Sequence, residues 1–124
     1  MTGKLPSLSG RRILVVEDEF FIADEVARTL RQAGAEVLGP CSNTDSASRK
    51  LQEEGRPDAA VLDLFLAGKS PLELIRKLRG EGVPVVIATG YDVAAIEPEL
   101  QGLPRCEKPI NLHSLTATLR TLMV

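Results

Sequence analysis

Five residues of this 124-residue chain stand at the ends of four short runs, three of them apolar, and their types suit one kind of chemistry. Ile13-Leu14-Val15-Val16 stops at Glu17-Asp18, Ala59-Ala60-Val61-Leu62 at Asp63, Val85-Val86-Ile87-Ala88 at Thr89, and Arg105-Cys106-Glu107 at Lys108-Pro109. If the runs are parallel strands, their ends share one rim of a sheet, and groups distant in sequence meet there. Three carboxylates in such a place repel one another, each pair by roughly 3 kcal/mol at ~5 Å and an effective dielectric of ~20. They stay ionised together only around a cation. Hard oxygen donors with no His or Cys nearby favour Mg2+, or the similar Mn2+. A carboxylate beside a divalent cation, a lysine and a hydroxyl donor is the set that phosphoryl transfer needs. The cation and ammonium offset charge on the transferring oxygens, Thr89 donates to another, and a carboxylate in line attacks phosphorus. Asp63, ending the middle of the three carboxylate- and threonine-tipped strands, is the best nucleophile.

The elements that must position these groups are legible as a βα repeat. After Glu17-Asp18-Glu19, with Glu19 read as a helix-start charge, Ile22, Val26, Leu30 and Ala33 mark one apolar helix stripe closed by Gly34. Val37-Leu38 is a weaker second strand broken by Gly39-Pro40. Thr44 is placed to cap a short helix carrying Ala47 and Leu51, ended by Gly55. Ser70-Pro71-Leu72-Glu73 has the form of a capping box with proline at the first helical position, and Leu74, Ile75 and Leu78 follow before Gly80. A helix over Val93 to Leu100 is expected to be short or irregular because of Pro98. Asn111 caps a last helix with the stripe Leu112, Leu115, Leu119 and Leu122. Strands one, three and four are continuous apolar runs, as for strands covered on both faces, whereas two and five are short and mixed. With right-handed crossovers the fold class is α/β: a doubly wound, flavodoxin-like (βα)5 domain with strand order 2-1-3-4-5. Its ligand site lies at the order reversal between strands one and three.

Composition narrows the function classes. A net charge of −2 points to neither nucleic acid nor membrane surface as partner. No apolar run approaches the ~20 residues of a membrane span, and residues 1–10 lack the apolar stretch of a signal peptide. Cys41 and Cys106, unclustered, suit neither a disulfide framework nor a zinc site and fit a cytoplasmic location. The organisation read here is an N-terminal tail, 1–10, followed by one domain, 11–124.

In this order and at these strand ends, Glu17-Asp18, Val61-Leu62-Asp63, Ala88-Thr89-Gly90 and Lys108-Pro109 resemble the receiver domain of two-component response regulators. The resemblance covers about Arg11 to Val124. It implies Asp63 as phosphoacceptor, Asp18 as direct Mg2+ ligand, Glu17 acting through water on the metal, and the Phe65 carbonyl as a further metal contact. It implies that Thr89 and Lys108 hold the phosphoryl oxygens and that Lys108-Pro109 is a cis peptide. The donor it implies is a phosphohistidine on a sensor histidine kinase or histidine phosphotransfer protein, and the output an unidentified protein target or onward phosphotransfer. Such a protein assists its own phosphorylation and dephosphorylation without being an independent enzyme. A stand-alone regulator and the receiver part of a hybrid kinase both fit.

Ile87-Ala88-Thr89-Gly90-Tyr91 resembles the receivers bearing a Phe-Ala-Thr-Gly-Tyr motif, with Ile87 replacing Phe. Two features depart from the wider family. Arg105 occupies the strand-five position where many receivers carry an aromatic that rotates with the threonine, a lack this subgroup shares. Ala67-Gly68-Lys69 replaces the proline-containing loop after the acceptor. Tyr91 is a candidate substitute reporter of phosphoryl occupancy, Phe65 a candidate shield of the acyl phosphate, and the segment with Pro98 the part whose conformation the phosphoryl group biases. Gly90 either permits a tight turn or keeps access to Asp63 open. His113 lies off the apolar stripe and reads as a surface residue. Two rival classes remain. An aspartyl-phosphate phosphatase is disfavoured by Phe65, where such enzymes carry a second Asp. A pseudo-receiver that is never phosphorylated is disfavoured by the intact acidic set with Thr89 and Lys108.

Overall fold

The computed structural model describes residues 5–66, 70–90 and 98–123. Five parallel strands form one sheet: β1 (Arg12–Val16), β2 (Glu36–Cys41), β3 (Ala59–Asp63), β4 (Val85–Thr89) and β5 (Arg105–Glu107). Their order is β2-β1-β3-β4-β5, so the two mixed strands take the edges and the three apolar ones the centre. The helices are α1 (Phe20–Gln32), α2 (Thr44–Glu54), α3 (Leu72–Gly80) and α4 (Leu112–Leu122), with one 3-10 turn at Pro98–Leu100.

Alternation along each strand divides the apolar side chains between two layers. Leu14, Val16, Ala60, Leu62, Val85 and Ile87 face α2 and α3, packing with Ala47, Leu51, Leu74, Ile75 and Leu78. Ile13, Val15, Ala59, Val61 and Val86 face α1 and α4, meeting Val26, Leu30, Leu115 and Leu119. Each of the larger side chains here contributes about 2 kcal/mol by leaving water, enough that the sheet needs no covalent staple. Registers are Val16 beside Leu62, Asp63 beside Ala88, and Thr89 beside Glu107, which brings the strand ends to one level. Ahead of β1, Leu8 is buried in the α1/α4 layer and its N–H donates to the Ala33 carbonyl at 2.7 Å.

Three local expectations are corrected. The second strand does not stop at Gly39-Pro40: β2 runs on to Cys41, with a register shift that pairs Val16 with Cys41. Gly39 takes φ +103°, and a Cβ there would sit 2.6 Å from the Cys41 nitrogen, so only glycine passes this irregularity. The cap of α2 is Asn43, not Thr44; Asn43 Oδ1 accepts from the Ser46 N–H at 2.8 Å, and Thr44 is already helical. At α3 no capping box forms. Pro71 occupies the cap position without a side-chain bond, and Ser70 Oγ instead accepts from the Leu72 N–H at 3.2 Å. Gly80 is the last residue of α3, as expected, and Gly82, at φ +80°, then turns the chain so that the Val83 N–H donates to the Leu78 carbonyl. Gly34, Gly55 and Asn111 act as expected.

Candidate functional site

Backbone pairing carries on past the strand ends and fixes the rim. The Glu17 N–H donates to the Cys41 carbonyl at 2.9 Å, the Leu64 N–H to Ala88 at 3.0 Å, and the Lys108 N–H to Thr89 at 3.0 Å. The residues that begin the loops are therefore held as firmly as strand residues. Among the described residues only four polar or charged side chains are buried: Glu17 (6 % exposed), Asp63 (4 %), Thr89 (1 %) and Thr116. Thr116 is accounted for within α4, where its hydroxyl donates to the Leu112 carbonyl. The other three all lie at the carboxyl ends of β1, β3 and β4, so buried polarity is concentrated where the sheet order reverses.

Asp63 is held from two sides. Its Oδ1 accepts from the Phe65 N–H at 3.0 Å, an Asx turn that starts the next loop, and its Oδ2 accepts from Lys108 Nζ at 2.9 Å. The same ammonium lies 3.1 Å from Glu17 Oε1 and 3.5 Å from Glu19 Oε1. Asp18 is exposed beside them, and one oxygen each from Glu17, Asp18 and Asp63 lie within 4.8 Å of one another. These oxygens fit a hard divalent cation. The donors are all carboxylate oxygens, with no nitrogen or sulfur that would draw a softer metal.

Burial pushes the Glu17 carboxyl up to about 7; the Glu19 N–H pulls the other way, neighbouring Asp63 adds to the rise and Lys108 offsets part of it. For Lys108, burial favours the neutral form, but the hydrogen bonds to Asp63 and Glu17 outweigh it and hold the ammonium well above its ordinary range. Burial and pairing thus keep the lysine charged and bring the most enclosed glutamate close to accepting a proton.

The structure brings Glu17, Asp18, Asp63 and Lys108 together, with Thr89 buried at the end of β4 and bonded through its carbonyl to the Lys108 N–H. The Lys108-Pro109 peptide is cis. Gly90 does not take a left-handed conformation, and a Cβ there would make ordinary contact with Lys108 Cβ at 3.9 Å. Phe65 is partly exposed at the edge of the site. Arg105 pairs with Ile87 in the β4–β5 register and donates to the Gln101 carbonyl, so no aromatic stands there. Tyr91, the loop Ala67-Gly68-Lys69 and residues 93–97 of the expected helix lie outside the described residues. The remainder of that expected helix, Pro98–Leu100, is the 3-10 turn, tied to α3 by a two-pronged Arg76–Glu99 ion pair. Sequence reading missed Glu19. It stands at the cap position of α1 but makes no capping bond, and its carboxylate turns to Lys108 instead. Its only sequence signal is the spacing of two from Glu17.

The chain is similar to known proteins over most of its length. Residues 13–120 match the response regulator receiver domain family. The probable transcriptional regulatory protein TcrX of Mycobacterium tuberculosis is 34 % identical over 120 residues, covering 90 % of this chain and 49 % of that protein. The sensory transduction protein LytT of Bacillus subtilis is 29 % identical, over 88 % of this chain and 46 % of that protein. The chain spans about half the length of the curated relatives it matches. Among solved structures, the receiver domain of the hybrid histidine kinase CckA aligns with a TM-score of 0.76 at 29 % identity, covering 91 % of this chain and 99 % of that one. The BeF3-activated conformation of SdrG from Pseudomonas melonis aligns with a TM-score of 0.76 at 27 % identity, covering 94 % and 99 %. No helix among the described residues is long and apolar enough to cross a membrane. With this fold, this acidic rim and a family match over most of its length, the chain is a response regulator receiver domain of two-component signalling systems.

Proposed function

We propose that this domain accepts a phosphoryl group on Asp63 from a phosphohistidine and thereby switches its binding to another protein. The observation that carries the reading is the double hold on Asp63: one oxygen on the Phe65 N–H, the other on a lysine that also faces Glu17. Held this way, the carboxylate cannot rotate freely, and the orientation cost of attack is met before the donor arrives. An Asp63 oxygen forms the new O–P bond while the P–N bond to the donor imidazole breaks. The electron pair stays with the ring nitrogen, which leaves as neutral imidazole once protonated. Lys108 then moves its ammonium to a phosphoryl oxygen, and the Thr89 hydroxyl donates to another. Asp18, Asp63 and the Phe65 carbonyl are the groups to hold Mg2+ or Mn2+ directly, with Glu17 behind them; bound there, the cation supplies positive charge against the transferring oxygens. Attack of water on the acyl phosphate returns Asp63 and inorganic phosphate.

Receiver domains are signalling switches rather than classical enzymes, and in this one the assistance given to phosphorylation and dephosphorylation belongs to the proposal. So do a cytoplasmic location for this protein, the donor, a sensor histidine kinase or histidine phosphotransfer protein, and membership of the Phe-Ala-Thr-Gly-Tyr subgroup. Arg105 on β5 supports the subgroup, because a switch at this site must act without a strand-five aromatic. The test is incubation with a small phosphodonor and Mg2+. One hydroxylamine-labile phosphoryl adduct is expected in the wild type and none in Asp63→Asn; an adduct that persists in the variant overturns the assignment.

A further inference from the structure

We propose that Glu19 is a positioning residue for Lys108: in the unphosphorylated protein its carboxylate shares the ammonium with Asp63 and Glu17, and it turns away once Asp63 carries a phosphoryl group. The inference rests on the phosphoacceptor reading of Asp63 and adds a competitor to it.

The first argument is local. Glu19 sits at the cap position of α1 with an extended backbone (φ −85°, ψ 114°), where a side chain ordinarily accepts from an N–H of the first turn. Asn43 and Asn111 do so for α2 and α4, at 2.8 and 2.9 Å. Glu19 makes no such bond, and α1 has no other acidic side chain in its first turn to answer the exposed N–H groups. A helix start left without its ordinary acceptor, while a suitable carboxylate stands at the position, is a local rule broken in favour of a contact elsewhere. That contact is Lys108 Nζ at 3.5 Å. The Glu19 main chain is set for it, since its N–H donates to Glu17 Oε2 at 3.1 Å.

The second argument is electrostatic. Lys108 faces three carboxylates: Asp63 at 2.9 Å, Glu17 at 3.1 Å and Glu19 at 3.5 Å. Phosphorylation ends Asp63 as a carboxylate and passes its hydrogen bond from Lys108 to a phosphoryl oxygen, but the added negative charge repels the other two carboxylates that share the lysine. The Glu17 side chain is 5 % exposed, and its carboxylate, turned from the lysine, stays buried without its cation. The Glu19 side chain is 63 % exposed and returns to water at little cost. Glu19 is therefore the partner that turns away. It adds a third carboxylate beside Lys108 in the resting state, as an ion pair at 3.5 Å, and opposes, weakly, the state in which Lys108 serves the phosphoryl group.

Exposed ion pairs are weak, so the expected size is about twofold to fivefold. The experiment measures the Lys108 Nζ signal by NMR, and the affinity for beryllofluoride with Mg2+, in wild type, Glu19→Gln and Glu19→Asp. The Lys108 signals of wild type and Glu19→Gln should differ without ligand and coincide when beryllofluoride saturates both. Glu19→Gln should bind the analogue two- to fivefold more tightly, with Glu19→Asp in between. Coincident unliganded signals, or unchanged or weaker binding by Glu19→Gln while the wild type binds, overturn the inference alone. A wild type that does not bind beryllofluoride overturns the phosphoacceptor reading, and this inference with it.

Discussion

The two rims of the sheet carry similar numbers of charged groups and treat them in opposite ways. At the amino-end rim, Arg12 donates from its guanidinium to the Arg56 and Glu54 carbonyls, and its backbone N–H donates to Asp58 Oδ2 at 2.8 Å. Arg56 in turn donates to the Glu81 carbonyl at 2.7 Å. There the charged side chains bind the chain itself, joining β1, the loop after α2 and the end of α3. At the carboxyl-end rim the charged side chains face one another, and carboxylates outnumber the single lysine. Charges resolved against main-chain carbonyls hold a fold together. Carboxylates gathered around one lysine, two of them buried, suit a divalent cation and, in the function proposed above, a phosphoryl group.

The comparison breaks most visibly at Lys108. Replacing it with Ala leaves Glu17 and Asp63 buried without their cation, and phosphoryl uptake should fall at least tenfold. Without Mg2+ the same variant should lose about 3 kcal/mol of stability in denaturant unfolding; equal stability with and without the lysine would mean the carboxylates are solvated after all. Next in size is a pH effect confined to the same rim. Folded Glu17 binds its proton up to about 7 against an ordinary 4.5, so between those values the folded state holds more protons than the unfolded one. Stability without metal therefore falls as pH rises through that window, by on the order of 2 kcal/mol or several degrees in Tm. Lys108, raised above its ordinary value, stays charged throughout and adds no slope. Saturating Mg2+ should abolish the decline, and Glu17→Gln should remove it without metal. The smallest effect lies at the other rim. Arg12→Ala should cost about 1–2 kcal/mol of stability through its lost bonds to main-chain carbonyls and leave phosphoryl uptake by the folded protein unchanged.

Sequence reading reached the sheet order and the meeting of Asp63 with Lys108 because both depend on coarse signals. Continuous apolar runs identify the buried strands, and a parallel sheet puts all their ends on one side. It failed where neighbouring residues offer the same chemistry. Asn43 and Thr44 can both cap; Asn43 takes the position, and Thr44 is already helical. Ser70 has a capping oxygen, yet the helix starts a residue later than its spacing suggests. Glu19 shows the same limit at the site itself: adjacent sequence marks it as a helix-start charge, and only Lys108, from the far end of the chain, reveals its other contact.

The central claim, that one rim gathers its carboxylates around a shared cation, is tested most directly by Mg2+ titration followed by NMR at individual residues. Glu17, Asp18, Asp63 and Lys108 should shift together along one saturable curve with a single dissociation constant, while Arg12, Arg56 and Asp58 stay still. Independent curves for the acidic residues, or shifts spread evenly over both rims, would contradict it.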